Sequence, residues 1–439
     1  MTRTSASRSL TPIISEKDFL KLVEVKCRGL LSTLSVLEKE DMIVNKLYYF
    51  TLLHEADKLE AFMDDHGARN NMEWLYFAEL IACVRNFALA GFQLYHILDR
   101  YSDYMGVESD QLRRDFQDQT YETLEYFTEV LLRFYHALIE EIRSKGASVP
   151  VDPLPTEEWS LKVTPKLPYT LTEHEIDDEE ERIISIAQSY RKIAKSFRNQ
   201  QLNRKIKAES LAEIIPGKIN ETLMMEMEGK LHNIQSEYDT YIKGGRMEKA
   251  NADIKALRGL TAIPMHLFDA LKWLVHFFER HENEIRKSDV KARISEMVNN
   301  ERLLSCIVDF GLRFCGRYLA DGNKVAERIL SSFVKPISYE LPIPKPLGFH
   351  ARPATYVSLV VQEHGTDVFM IVDGEKFDCR SVLEILQAGG MLADSGGKTV
   401  IFEGDKRVLE DLKILADHNY CEDQEIPQEL SYIRILRNL

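Results

Sequence analysis

A chain of 439 residues, 44% hydrophobic and 29% charged, is too long for one core and ordinary for a globular protein, so two or three domains are expected. Its net charge of -14 repels phosphate backbones, which disfavours nucleic-acid partners and leaves only local basic faces for anions. Six scattered cysteines without a CxxC pair or a disulfide-framework spacing fit a reducing, cytoplasmic setting.

Residues 1–14 are positively charged with no apolar run behind them, which reads as a disordered tail rather than a secretory signal. Residues 15–145 read as a helical bundle. Phe116, Thr120, Leu124, Phe127, Leu131, Phe134, Leu138 and Ile142 recur in steps of three and four, one apolar stripe on a long helix. Leu80, Ile81, Val84, Phe87, Ala88, Gly91, Leu94, Tyr95 and Leu98 repeat the pattern earlier. Such stripes are core faces before they are lipid or cofactor grooves. No run in the chain approaches the roughly 18 uninterrupted apolar residues that a membrane-spanning helix needs, so no transmembrane segment is expected.

The stretch 146–180 is a proline-rich linker with Pro150, Pro153, Pro155, Pro165 and Pro168, where helix cannot continue. It ends in the acidic run Asp177 to Glu181, which suits the N-terminus of a new helix. A second helical region covers 181–335, with turns at Pro216-Gly217 and Gly244-Gly245. Within it Arg191, Lys192, Lys195, Arg198, Arg204, Lys205 and Lys207 form the one basic segment suited to an anion or a membrane surface. A solvated face behind a core stripe of Ile186, Tyr190, Ile193 and Phe197 explains it more simply.

At Pro336 the texture changes. β-rich runs at 337–343, 367–372 and 399–402 alternate with segments of helical period, which marks a last domain over 336–439 that ends in a C-terminal tail. Its most informative stretch is Lys345-Pro346-Leu347-Gly348-Phe349-His350-Ala351-Arg352-Pro353-Ala354. Gly348 permits a tight turn after a strand, and Pro353 suits a first helical turn. His350 therefore falls at a helix start, above unpaired amides and beside Arg352, where an anion on the imidazole is stabilised. The same surroundings disfavour a protonated ring and keep a nucleophilic nitrogen free.

This stretch resembles HPr, the histidine phosphocarrier family of the bacterial phosphoenolpyruvate-dependent phosphotransferase system. The likeness runs on through Asp373-Gly374-Glu375-Lys376, Arg380-Ser381-Val382-Leu383 and a second helix ending at Ala388-Gly389-Gly390. It covers about residues 337–418. It implies an α+β chain in which the large all-α region precedes an open-faced β-sandwich, a four-stranded antiparallel sheet with three helices on one side. It implies that His350 accepts a phosphoryl group through Nδ1 from an enzyme-I-like donor and passes it to an acceptor protein, with Arg352 neutralising the charge. Ser381 matches a serine that a dedicated kinase or phosphorylase modifies, and Val382, Leu383 and Leu386 match an exposed docking patch. Two positions depart: Leu347 replaces a small polar residue that orients the histidine, and Glu384 replaces a glycine and brings a negative charge to the patch.

Other signals fail on spacing. Gly396-Gly397-Lys398-Thr399 lacks the upstream glycine of a phosphate loop and leads into a strand. His281-Glu282 lacks a second histidine at position 285, so neither a cofactor nor a metal is expected. The chain is thus expected to be a phosphocarrier intermediate rather than a turnover enzyme, a relay or sensor whose helical region supplies output, docking or a homo-oligomer surface. The alternative is an adaptor that binds partners irrespective of phosphate.

Overall fold

The computed structural model describes residues 13–39, 42–104, 110–152, 178–202, 217–281, 289–334 and 336–437, with Leu167 and Ile215. The tail over 1–12, most of the proline-rich linker, the basic residues Arg204, Lys205 and Lys207, and Glu282 of the histidine motif lie outside these.

Helices α1 (Glu16–Lys26), α2 (Arg28–Leu34), α3 (Lys46–Asp65), α4 (Leu75–Tyr104) and α5 (Asp110–Ser144) precede the linker. Helices α6 (Glu179–Asn199), α7 (Glu221–Tyr241), α8 (Arg246–Ala250), α9 (Ala252–His281), α10 (Asp289–Ser295), α11 (Asn300–Ser305) and α12 (Arg313–Ser332) follow it. Asn45, Asn220 and Asn299 start α3, α7 and α11 by accepting from the amides of Tyr48, Leu223 and Arg302. All eight stripe residues on α5 are buried. The two helical stretches build one core: Phe87 meets Phe277 edge-on at 5.3 Å, and the Tyr101 and Tyr318 hydroxyls lie 2.7 Å apart. Among the described residues one window, Leu75–Ser102, is long and apolar enough to cross a membrane by composition, with a mean hydropathy of 1.4, yet 67% of it is buried in the bundle. Burial of most of its length is what a central bundle helix shows.

The acidic run does start α6, but Glu179 is buried and accepts from the Met247 amide at 3.0 Å, so it also ties α6 to α8. All six cysteines are buried free thiols.

The last domain has a separate core. Strands β1 (Pro336–Pro342), β2 (Val368–Val372), β3 (Glu375–Asp378) and β4 (Thr399–Asp405) form an antiparallel sheet in the order β1-β4-β2-β3. Period-two alternation sets Leu341, Val400, Phe402, Met370 and Phe377 on the buried face, and Ile401, Phe369 and Ile371 on the other. Helices α13 (Ala351–His364), α14 (Val382–Ser395) and α15 (Lys406–Asp417) cover the buried face. The chain is therefore α+β, mostly helical with one small antiparallel sheet.

Two expectations are corrected. Helix α14 does not stop at Ala388-Gly389-Gly390; Leu392 anchors another turn, and Gly396 ends it at φ 66°. The C-terminal segment is not a tail but folds back, burying Leu430 and Ile433 and adding a fourth short helix, α16 (Ser431–Arg437). Tyr432 of α16 donates to Asp411 at 2.6 Å.

The helical body meets the sheet domain at the C-terminal end of α13. There Arg191 of α6 donates to the Glu363 and Gln362 carbonyls at 2.9 and 3.1 Å, satisfying acceptors that a helix end leaves open. Gly365, at φ 73°, makes this possible, because a Cβ there would lie 2.0 Å from the guanidinium.

Candidate functional site

His350 is the N-cap of α13, its backbone extended and its side chain making no capping bond. Gly348, at φ 67°, turns the chain out of the preceding loop, and the His350 amide donates back to its carbonyl at 2.9 Å. The Ala354 amide is the first to bond back into the helix, through the His350 carbonyl at 3.1 Å. Because Pro353 has no N–H, the amides of Ala351 and Arg352 are the free donors of the first turn. This much agrees with the reading of the motif.

The residue that reading missed is Glu422. Its carboxylate lies 2.7 Å from His350 Nε2 and 3.6 Å from the Arg352 guanidinium, and its carbonyl accepts from Arg352 at 2.9 Å. The N–H of His350 does not line up with the carboxylate, so the contact is a close approach rather than a directed hydrogen bond. The imidazole is 34% exposed and the Glu422 side chain 11%. A carboxylate at Nε2 favours the tautomer with its proton there, leaving the Nδ1 lone pair unprotonated.

What presents Glu422 is a turn of three consecutive left-handed residues, Asn419, Tyr420 and Cys421, none of them glycine. Each costs of order 1–3 kcal/mol of backbone strain and persists only when its surroundings hold it. Asn419 clamps the loop before His350, accepting from the Lys345 amide at 2.8 Å and donating to its carbonyl at 2.7 Å. Tyr420 is buried against Phe349 and donates to the Pro342 carbonyl at 2.9 Å. No spacing or composition signal marks this turn.

The other expected residues are placed as follows. Ser381 caps α14, its hydroxyl accepting from the Glu384 amide at 3.3 Å. Glu384 accepts from the Asp378 amide at 2.6 Å, so its charge is engaged in holding the helix start rather than lying free beside a docking patch. Of the expected patch only Leu383 is fully exposed, at 78%; Val382 and Leu386 are half-buried against the core. Leu347 is 74% exposed.

A second polar cluster, in the helical core, was not signalled by the sequence. His96 and His266 meet with tilted rings, centroids 4.3 Å apart, His96 Nδ1 lies 2.7 Å from Lys46 Nζ, and His266 Nδ1 lies 3.0 Å from the side-chain oxygen Oε1 of Gln93. Gln93 in turn donates to Asp269, which pairs with Lys272. Burial, then the nearby cations, lower His96 to about 4; burial, then His96 and Lys46, lower His266 to about 3. Unfolded histidine titrates near 6.5, so below that pH the unfolded chain binds protons that the fold refuses. Stability should be complete above about pH 6.5 and fall as the pH drops toward 4, with Asp99, raised by burial, working in the opposite sense. Urea unfolding of the helical signal at pH 7 and pH 5 checks this; equal midpoints in wild type and His266→Asn would rule it out.

No family model, curated protein or solved structure matches this chain.

Proposed function

We propose that the chain is a phosphoryl relay or regulatory protein of the phosphotransferase type, in which His350 accepts a phosphoryl group. The observation that carries this reading is the convergence of His350 and Arg352 on one carboxylate at the N-terminus of α13. An oxygen anion already bridges the imidazole and the guanidinium, so the pocket suits the oxygens of a phosphoryl group. With its proton on Nε2, the ring attacks through Nδ1 without first losing one. The new P–N bond forms as the donor's bond to phosphorus breaks, and the first-turn amides and Arg352 receive the charge.

The sheet order β1-β4-β2-β3 with helices over one face supports the open-faced sandwich that the resemblance to HPr implies. On this reading an enzyme-I-like protein is the donor, a phosphotransferase-system protein the acceptor, the cytoplasm the setting, and the helical body the output. Incubation with enzyme I and phosphoenolpyruvate should give an acid-labile, alkali-stable phosphate on wild type and none on His350→Ala. Equal labelling of the two would remove the assignment.

Leu383 favours a second reading, an adaptor that docks partners whatever the state of His350. Identical partner sets captured by wild type and His350→Ala would select it, and phosphate-dependent sets would oppose it.

A further inference from the structure

The junction between the two bodies forms an open cleft of about 280 Å³ between α6, α12 and the C-terminal end of α13. Arg191, Lys195 and Arg198, at helical steps of four and three, lie along one stripe of α6 and line it together with Lys192 and Arg380. Three carboxylates of the lining, Glu327, Glu363 and Asp367, and a fourth just outside it, Asp378, oppose these five cations.

The pairing is incomplete. Arg380 is the exception, held at 2.9 Å by Asp367 and at 2.8 Å by Asp378. Arg191 reaches Glu327 only at 3.7 Å, and Lys192 and Lys195 both share Glu363 at 3.9 Å. The Arg198 side chain has no ion-pair or hydrogen-bond partner among the described residues. Arg191 Nε is buried and donates to nothing among the described residues. Burial also lowers both Arg191 and Lys195, the mark of cations whose neighbours undercompensate them.

We propose that this cleft binds a small, phosphoryl-bearing dianion that bridges α6 to the last turn of α13. With Arg380 taken by Asp367 and Asp378, the four cations of α6 outnumber the two glutamates facing them by two, which matches such a charge; the Arg198 guanidinium fits phosphoryl oxygens in bidentate fashion, and the volume sits at the small end of ligand sites. This is a reversible binding site, distinct from the acceptor histidine: His350 lies at the opposite end of the 14-residue α13, about 21 Å away along the helix axis. The proposal does not depend on phosphoryl transfer.

Calorimetric titration of the full chain with pyrophosphate tests it, with citrate as the carboxylate control. Pyrophosphate should bind wild type and His350→Ala alike, and Lys195→Gln/Arg198→Gln at least tenfold more weakly. Both substituted side chains are at least partly exposed, so the variant should unfold at the wild-type midpoint. No heat with pyrophosphate, equal binding by the double variant, loss of binding in His350→Ala, or citrate binding as tightly as pyrophosphate would each overturn the proposal.

Discussion

Phe349→Ala should be among the most damaging single substitutions in the sheet domain and should disable His350 without touching it. Phe349 is buried, its ring centroid 5.1 Å from Tyr420 and 6.2 Å from Phe402. Helix α14 closes over it at Gly389, where a Cβ would stand 2.8 Å from the Phe349 Cβ and carbonyl oxygen. Removing a buried phenylalanine costs about 3–5 kcal/mol, the lost transfer energy plus the cavity. For a domain near a hundred residues that is a fall of about 12 °C or more in Tm. Tyr420 would lose the ring that holds its left-handed backbone, so the turn presenting Glu422 should relax. Because the two cores are separate, hydrogen exchange should rise over residues 336–433 while helices α3 to α5 keep their protection. A variant with unchanged Tm and unchanged labelling of His350 would show that the ring does not support the site.

The second large effect concerns Glu422, whose carboxylate helps and hinders at once. It orients the ring, but its contact with Nε2 is poorly aligned, so this help is worth no more than the roughly 1.5–3 kcal/mol of a charged hydrogen bond. A phosphoryl group on the far nitrogen would add about -1.5 to -2 charges. At roughly 6 Å and an effective dielectric near 20, the carboxylate would raise that state by about 4–6 kcal/mol before the side chain relaxes. Repulsion therefore outweighs orientation. Glu422→Gln keeps the shape and removes the charge, so it should shift the phosphorylation equilibrium of His350 toward the phosphorylated form, by about tenfold if ~1.4 kcal/mol survives relaxation. The ratio of labelled to unlabelled chain at fixed enzyme I, phosphoenolpyruvate and pyruvate measures it. A lower ratio would mean that the ring's orientation matters more than the charge.

Local order was the legible part of this molecule. The stripes of α4 and α5, the break over 146–180, the change of texture at Pro336 and the helix start at His350 all follow from side chains a few residues apart. Periodicity and capping act over that range, so composition and spacing carry them. Strand β3 was readable only through the resemblance to HPr, because its four residues offer too short an alternation.

Tertiary structure decided what those local elements face. Glu422 stands 70 residues from Arg352, and its turn is held by contacts with Lys345, Phe349 and Pro342 rather than by glycines. Arg191 stands 172 residues from the helix end it caps, and the basic stripe reads as an ordinary solvated face until α13 is laid against it. Long-range approach depends on how two cores close, and no periodicity along the chain encodes which charged groups that closure brings together.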